Sequence, residues 1–327
     1  MRGQIATTFD LTDADHALVR EVLAGTADLV SITKLNDAER AAALRAANAL
    51  MVGNFAKELR PNELPLLAHM KLVQLFAAGI DFLPVGILPV GVPVASNAGA
   101  YAEPMAEHAL AMALAAAKRL FVEHAELVQG RFHQQNLNRM LAGGVCGILG
   151  FGGVGIATAR LMRCVGMRIH TINRRGASDE PVDWIGTSAD LDTLLANADV
   201  LLIATSLTHA TERMIGAREL VLMKDDAILI NLARGEIIDE PALFAHLKAH
   251  PRFTACIDAW WIEPVRHGRF EMHFPFVQLP NVIASPHNSA SVAGSRPAGL
   301  RHALENCRRA LRDEPVRHLI GPDDRYL

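Results

Sequence analysis

The first hundred residues alternate short apolar runs with amphipathic stretches. The apolar runs predict strands at residues 4–9, 28–33, 49–52, 72–76 and 92–95. Helical patterns lie between them, notably at residues 13–23 and 37–47. Strands that alternate with helices are typical of a parallel sheet covered by helices on both faces. We therefore expect an α/β fold in this part of the chain.

A second alternating series follows residues 103–128, which are rich in Ala, Leu and Met and predict one long helix. Its strands are predicted at residues 145–149, 168–172, 200–204, 227–231, 254–257 and 282–284, and residues 291–312 have a helical pattern. A chain of 327 residues is long for one hydrophobic core. Two α/β domains are therefore expected.

Composition and charge narrow the class of protein. Half the residues are apolar and a fifth are charged, which is typical of a globular protein. A net charge of −3 gives no electrostatic reason to expect nucleic acid or an anionic membrane as a partner. The four cysteines form no CxxC pair, so we expect reduced thiols in a cytoplasmic protein and no metal site.

Neither the N-terminus nor the longest apolar run indicates a membrane. The first sixteen residues contain no apolar core of a signal peptide. The longest apolar run covers residues 109–117, whereas a helix needs about 20 apolar residues to span a bilayer. The chain is expected to be soluble.

A glycine-rich turn, GFGGVG, follows the predicted strand 145–149 and precedes a helical pattern at 154–165. Gly150, Gly152 and Gly155 give the spacing G-x-G-x-x-G, in which glycines permit a tight turn, phosphate approach and close helix packing. The exposed N–H groups and the helix N-terminus would bind a pyrophosphate. The alternative is a purely structural turn.

The end of the next strand bears on which dinucleotide is bound. NAD sites usually place an Asp or Glu about 20 residues after the turn, but this chain has Asn173, Arg174 and Arg175. Guanidinium groups bind a 2′-phosphate through charge-assisted hydrogen bonds, whereas a carboxylate repels it. NADP(H) is therefore the preferred cofactor, with NAD(H) possible. A solvated basic loop is the alternative.

Three later motifs each supply one part of a carbonyl-reduction site: Arg234 in NLARGEIID, Glu263 in DAWWIEP and His287 in SPHNSA. An arginine can bind a carboxylate, a histidine can carry a proton, and a glutamate beside it can keep it protonated. Taken singly, each has a simpler interpretation: a surface charge, a loop residue, the end of a strand.

In order and spacing these blocks resemble the D-isomer-specific 2-hydroxyacid dehydrogenase family, over nearly the full chain. The matching segments are LFAAGIDFLP, NAGAYAEPMAEHAL, GFGGVG, SLTHATERMIG, NLARGEIIDEPAL, DAWWIEP and LPNVIASPHNSA. Within the family the chain looks most like the glyoxylate/hydroxypyruvate reductases.

The resemblance implies two Rossmann-like or flavodoxin-like parallel-sheet domains with the active site in the cleft between them. The substrate domain would comprise residues 1–98 and 290–327, and the dinucleotide domain residues 99–289. The resemblance also implies a homodimer, built in part by the helix predicted at 103–128.

The resemblance implies a role for each matched residue. Arg234 would bind the substrate carboxylate, His287 would transfer the proton, and Glu263 would orient and protonate His287. The amides of Ala78 and Gly79 would complete the carboxylate site, and Asn54 is a further substrate candidate. Cofactor contacts are expected from Gly150, Gly152, Gly153, Val154, Gly155, Asn173, Arg174, Arg175, Ser206, Leu207, Thr211, Leu232, Ala233, Asp258 and Ser289.

The predicted function is NADPH-preferring reduction of small 2-keto acids to D-2-hydroxy acids. A dinucleotide-sensing corepressor on the same fold is the alternative, and a formate dehydrogenase relative is disfavoured because that subgroup lacks a glutamate at position 263. Three features depart from the family pattern: Asn288 and Ser289 after the histidine, a long segment at 265–276, and Trp260. The segment is interpreted as a surface loop or a flap, and Trp260 and Trp261 as pocket or core residues.

Overall fold

A computed structural model describes residues 2–81 and 83–321. The strands are β1 (Gly3–Thr7), β2 (Ala27–Ser31), β3 (Ala49–Val52), β4 (Leu72–Leu75), β5 (Val94–Ala95), β6 (Val145–Leu149), β7 (Arg168–Ile172), β8 (Trp184–Gly186), β9 (Val200–Ile203), β10 (Ile228–Asn231), β11 (Thr254–Ile257) and β12 (Val282–Ala284). The helices are α1 (Asp13–Leu23), α2 (Asp37–Ala46), α3 (Phe55–Glu58), α4 (Ala102–Ala117), α5 (Leu120–Val128), α6 (Gly153–Cys164), α7 (Leu191–Asn197), α8 (Ala217–Leu222), α9 (Glu240–Ala249), α10 (Pro264–His267) and α11 (Ser295–Leu311).

The chain divides into two compact units. The first comprises Met1–Tyr101 with Ala293–Leu327, and the second Ala102–Val292. The sequence pattern and the family resemblance put the corresponding boundaries at 98/99 and 289/290. Residue 1 and residues 322–327 of the predicted domain ends, and Phe82 of the LFAAGIDFLP motif, lie outside the described residues.

The first unit is built on a five-stranded parallel sheet with the order β2-β1-β3-β4-β5. This is the flavodoxin-like order. Helices α1 and α11 pack together over one face, where Leu300, Leu304 and Cys307 are buried against strand residues such as Ile5. A capping box between Thr12 and Asp15 starts α1 at its predicted residue.

The second unit is built on a seven-stranded parallel sheet with the order β12-β11-β10-β9-β6-β7-β8. Its first six strands in chain order follow the Rossmann arrangement 3-2-1-4-5-6. The chain order reverses between β6 and β9, and in such sheets ligands bind beyond the carboxyl ends of the strands at this point. Strands β6, β9 and β10 are buried along their whole length, as expected for a parallel sheet covered on both faces.

The prediction of one continuous helix over residues 103–128 is wrong. The helix breaks between α4 and α5 at Lys118 and Arg119, and Arg119 has a left-handed backbone (φ 52°). The Ala-rich half, α4, packs closely on α6 through small residues such as Ala106 and Ala157. In contrast, α5 buries none of its residues, so no packing within the described chain keeps it in line with α4.

Candidate active site

Most predicted site residues of the second unit follow the carboxyl ends of its strands. Gly150 follows β6, Asn173 follows β7, Asp258 follows β11, Arg234 lies three residues past β10, and His287 lies three residues past β12. Because all seven strands are parallel, these positions share one edge of the sheet. Topology alone therefore brings together residues that are more than a hundred positions apart.

The glycine turn has the shape that a dinucleotide requires. Gly150 has φ +97°, and a β-carbon there would lie 2.7 Å from Thr205. A β-carbon on Gly155 would lie 2.4 Å from the carbonyl oxygen of Gly150, so the helix packs on the turn as close as glycine allows. Gly152, at the start of α6, has no neighbour within 4 Å of such a carbon. Open space next to unobstructed helix N–H groups fits a pyrophosphate.

The loop after β7 is organised by Asn173. Its Oδ1 accepts a hydrogen bond from the Arg175 N–H (2.9 Å), and its Nδ2 donates to the Ala177 carbonyl (3.0 Å). Arg174 and Arg175 are both exposed. Asn173 therefore has a structural role in this basic loop, in addition to its predicted contact with the cofactor.

The turn that carries Arg234 is fixed from both sides. Asn231 donates from Nδ2 to the Arg234 carbonyl (2.9 Å) and accepts from the Ala233 N–H (3.0 Å). Gly235 packs directly on the Trp260–Trp261 peptide, where a β-carbon would lie 2.5 Å from the Trp260 carbonyl carbon. Only glycine permits this approach. The Arg234 turn and the segment that leads to Glu263 are therefore held together.

His287 and Glu263 form the hydrogen-bonded pair that their motifs predict. The Nδ1 of His287 lies 2.8 and 2.7 Å from the two carboxylate oxygens of Glu263. The histidine side chain is 33% exposed and the glutamate side chain 7%, so the ring extends from a buried anchor towards solvent. Because Nδ1 faces the carboxylate, Nε2 is the ring nitrogen that can exchange a proton with a substrate.

Glu263 stays charged at neutral pH. Burial raises the pKa of its carboxyl. Four interactions together lower the pKa by more than burial raises it, so the net shift is downward: the hydrogen bond to His287, the charge of His287, the Trp260 N–H and the charge of Arg234. The Trp260 N–H donates to Oε1 at 2.6 Å. The ionised carboxylate therefore accepts a hydrogen bond from the Nδ1–H of His287 and fixes the orientation of the ring.

Asp258 supports the His287 turn, a role that sequence reasoning missed. This fully buried residue accepts hydrogen bonds from the Ser285 hydroxyl (2.5 Å) and from the N–H groups of Asn288 (3.1 Å) and Ser289 (3.3 Å). His287 itself has a left-handed backbone (φ 52°), which a non-glycine residue adopts only when its surroundings impose it. Polar residues after two adjacent strands were the available signal. The predicted cofactor contacts of Asp258 and Ser289 stay predictions.

The other predicted cofactor residues differ in how exposed their side chains are. Ser206 is exposed, Gly153, Val154 and Ala233 are partly buried, and the side chains of Leu207 and Leu232 are buried. The Thr211 hydroxyl donates to the Ser206 carbonyl (2.7 Å), which braces this loop. Leu207 and Leu232 could therefore contact a cofactor mainly through their backbone groups.

The two tryptophans are tied to the backbone around the site. The indole N–H of Trp260 donates to the Ser285 carbonyl (2.9 Å), and that of Trp261 to the Ile238 carbonyl (2.8 Å). Trp260 is 5% exposed. These bonds favour the core interpretation for Trp260 and connect the chain before Glu263 to the turns of His287 and Arg234.

The predicted substrate residues of the first unit carry unused hydrogen-bonding groups. Within the described chain, the N–H groups of Ala78 and Gly79 take part in no hydrogen bond, and the buried Oδ1 of Asn54 has no partner. Asn97 holds the preceding backbone, because its N–H donates to the Ala77 carbonyl (3.0 Å) and its Nδ2 to the Phe76 carbonyl (3.2 Å). Their substrate role stays a prediction.

The described residues form neither a membrane-spanning helix nor a cluster of metal ligands. No described helix is long and apolar enough to cross a membrane. In the same part of the chain, no group of three or more His, Cys, Asp or Glu side chains is placed to hold a metal ion.

Comparisons with known proteins show which class this fold and site define. Residues 110–289 match the sequence model described as "D-isomer specific 2-hydroxyacid dehydrogenase, NAD binding domain". The chain belongs to the D-isomer specific 2-hydroxyacid dehydrogenase family. It is therefore an NAD(P)-dependent oxidoreductase that interconverts 2-keto acids and 2-hydroxy acids.

Two curated relatives and one solved structure are particularly similar. Hydroxypyruvate reductase of Thermotoga maritima is 30% identical over 69% of this chain and 72% of its own. Glyoxylate/hydroxypyruvate reductase B of Enterobacter agglomerans is 31% identical over 78% and 79%. The structure of a D-isomer specific 2-hydroxyacid dehydrogenase from Xanthobacter autotrophicus Py2, in complex with NADPH and MES, aligns over 98% of this chain and 99% of its own, with a TM-score of 0.79 and 24% identity.

Proposed function

We propose that this protein reduces small 2-keto acids of the glyoxylate and hydroxypyruvate type to D-2-hydroxy acids, with NADPH preferred over NADH. The main observation in support of this proposal is the ion pair between His287 and Glu263, whose Nδ1 and Oε2 atoms lie 2.7 Å apart. Arg234 follows a strand at the same edge of the sheet. The names of the two curated relatives support this substrate class. The four free cysteines, three of them buried, are consistent with a cytoplasmic protein.

Each of the three residues has a distinct task in the proposed reaction. Arg234 binds the substrate carboxylate through its planar fork and polarises the adjacent keto oxygen. His287 donates a proton from Nε2 to that oxygen, and Glu263 holds the ring in position. A bound nicotinamide cofactor supplies the hydride.

The cofactor preference rests on the loop after β7. Arg174 and Arg175 are exposed at the end of this strand, and neither they nor Asn173 would repel a 2′-phosphate. A carboxylate at this position would instead favour the ribose 2′-hydroxyl of NAD. NAD(H) binding is possible but weaker in this proposal.

The test is a panel of 2-keto acids assayed with NADPH and with NADH. We expect glyoxylate and hydroxypyruvate to be the best substrates and NADPH to be preferred. Changing Arg174 and Arg175 to Gln should raise the KM for NADPH about tenfold or more, because each charged hydrogen bond is worth roughly 1.5–3 kcal/mol. The KM for NADH should change little. Equal weakening of both cofactors would overturn the preference, and NADPH binding without reduction of any 2-keto acid would favour a sensor.

A homodimer forms part of the proposal. Seven large apolar side chains between residues 120 and 140 are more than half exposed, namely Leu120, Phe121, Leu127, Val128, Phe132, Leu137 and Met140. Such a concentration of exposed apolar side chains is typical of a protein interface. A second copy of this chain is the proposed partner, since most soluble oligomers are symmetric assemblies of identical chains.

A further inference from the structure

A chain of hydrogen bonds runs from helix α4 to the carboxylate of Asp258. The Nε2 of His108, on α4, lies 3.1 Å from the hydroxyl oxygen of Ser285, and that oxygen lies 2.5 Å from Oδ1 of Asp258. All three residues belong to the second unit. The fold thereby connects a side chain of α4 to the loop that carries His287.

The chemistry of the three groups determines the direction of this chain. The Ser285 hydroxyl has one proton, which it donates to the Asp258 carboxylate. The hydroxyl oxygen can then only accept a hydrogen bond from His108, because its proton is already used. His108 therefore needs a proton on Nε2, and a side chain that replaces it must present a donor at the same position.

Asp258 connects the Ser285 hydroxyl to the turn of His287. Its Oδ1 also accepts a hydrogen bond from the Asn288 N–H (3.1 Å), and its Oδ2 accepts one from the Ser289 N–H (3.3 Å). Asp258 is fully buried, and a buried carboxylate depends on its hydrogen bonds. The two amides directly follow His287, whose backbone is left-handed. A rotation of the carboxylate would therefore loosen the backbone that orients His287.

The backbone of Ser285 is held independently of His108. Its N–H donates to the Ile257 carbonyl (3.0 Å), and its carbonyl accepts a hydrogen bond from the Trp260 indole N–H (2.9 Å). Replacing His108 should therefore leave the course of the chain at Ser285 unchanged. The change would act on the orientation of the Ser285 hydroxyl.

The helix that carries His108 is packed into the core of the second unit. Ala106, Ala109 and Ala113 of α4 are fully buried, and the last two belong to the same apolar cluster as Ile230 of β10. Side chains on a packed helix hold their partners more precisely than side chains on a loop. Helix α4 is therefore a rigid support for the hydrogen bond that His108 donates.

We propose that His108 is a positioning residue for the reaction. By donating to Ser285, it directs the Ser285 hydroxyl to Asp258, and Asp258 in turn holds the two amides that follow His287. The inference rests on the proposed role of His287 as the proton donor.

The first test compares three replacements of His108 at saturating NADPH. His108→Leu removes the donor and should lower kcat for glyoxylate about tenfold, with KM within about threefold of the wild type, because a misplaced catalytic group slows the chemical step. His108→Gln places an amide N–H near the position of Nε2 and should restore kcat to within about threefold of the wild type. His108→Asn is the matched control, since its amide is one methylene shorter, and its kcat should be as low as that of His108→Leu.

The second test asks whether His108 acts through Ser285. Ser285→Ala removes the hydroxyl and should itself lower kcat about tenfold or more. Adding His108→Leu to this variant should lower kcat no further, because the group through which His108 acts is already absent. Equal kcat values in His108→Leu and the wild type, equally low values in His108→Gln and His108→Asn, or a further tenfold loss in the double variant would overturn the inference.

Hydrogen–deuterium exchange measures the turn itself, independently of activity. Peptides that cover residues 285–289 should exchange about tenfold faster in His108→Leu than in the wild type, and His108→Gln should restore their protection. Melting temperatures report on the folding of every variant. Unchanged exchange in His108→Leu would overturn the inference. If the wild type reduces no 2-keto acid, the proposed function fails, and the exchange rates still decide whether His108 holds the turn.

Discussion

His287 occupies a backbone conformation that its neighbours impose. Asp258 holds the amides of Asn288 and Ser289, and Glu263 holds the ring, so the left-handed conformation of His287 is stabilised from two sides. Local strain of this kind persists where the surrounding structure over-determines it. The position of the ring is therefore a property of several buried partners rather than of the motif SPHNSA alone.

Replacing His287 with Ala should remove the proton donor and leave the dinucleotide turn intact. We expect kcat for 2-keto acid reduction to fall by about a hundredfold or more, because general acid catalysis typically contributes that much. NADPH affinity, measured by fluorescence titration, should stay within about threefold of the wild type. Near-normal turnover would exclude His287 as the general acid.

Glu263→Gln tests the charge of the buried partner. Burial raises the pKa of Glu263, but its hydrogen-bond and charge partners lower the pKa by more. The carboxylate is therefore ionised throughout the neutral range. The charged carboxylate stabilises the folded protein at any pH above its ordinary pKa of 4.5. This contribution to the free energy of folding is lost as the pH falls through the lowered pKa of the folded state. A neutral Gln cannot titrate, so Glu263→Gln should be less stable than the wild type at neutral pH, and the melting temperatures of the two proteins should converge as the pH falls below 4.5. A difference in melting temperature that does not depend on pH would contradict this role.

Within the glycine turn that joins β6 to α6, some glycines are needed for packing and another leaves room for the ligand. A β-carbon at Gly150 or Gly155 would meet backbone, whereas one at Gly152 would meet only open space. The first two positions serve the strand–turn–helix geometry itself. Because Gly152 has no side chain, the space in front of the N-terminus of α6 stays open for a ligand.

Gly152→Ala should therefore keep the fold and weaken the cofactor. We expect an unchanged melting temperature, because the new methyl group meets nothing in the protein, and about tenfold weaker NADPH binding, because it occupies space that the pyrophosphate would need. Gly86→Ala in the first unit is a matched control, since that position is also open. Unchanged NADPH affinity in Gly152→Ala would contradict the placement of the pyrophosphate.

At the scale of the whole molecule, the exposed apolar residues between 120 and 140 are predicted to form the dimer interface. Replacing Phe121 and Leu127 with Asp should convert a dimer into a monomer, because charges are costly in an apolar interface. Val90→Asp is the control, since Val90 is fully exposed in the first unit. Light scattering should give twice the chain mass for the wild type and the control. A monomeric wild type would contradict the prediction.

Much of the fold follows from the sequence because parallel strands are short buried apolar runs, and the predicted strands 49–52, 145–149 and 168–172 have the observed bounds. The continuous helix at 103–128 was wrong because periodicity does not reveal which half is packed. Motif order predicted the Glu263–His287 pair. It did not show that Asp258 lies under the His287 turn, because the sequence signal was only its place after a neighbouring strand, and the hydrogen bonds depend on how the two loops fold.

Arg234, Glu263 and His287 together are proposed to form a site for reducing 2-keto acids. The most direct measurement compares kcat/KM for glyoxylate and for its uncharged ethyl ester, in the wild type and in Arg234→Lys. The wild type should strongly prefer the acid, and Arg234→Lys should raise the KM for glyoxylate about tenfold or more, because lysine lacks the planar fork that binds a carboxylate. Activity towards the ester should be low in both. A wild type that reduces acid and ester equally well, or an unchanged KM for glyoxylate in Arg234→Lys, would contradict the account.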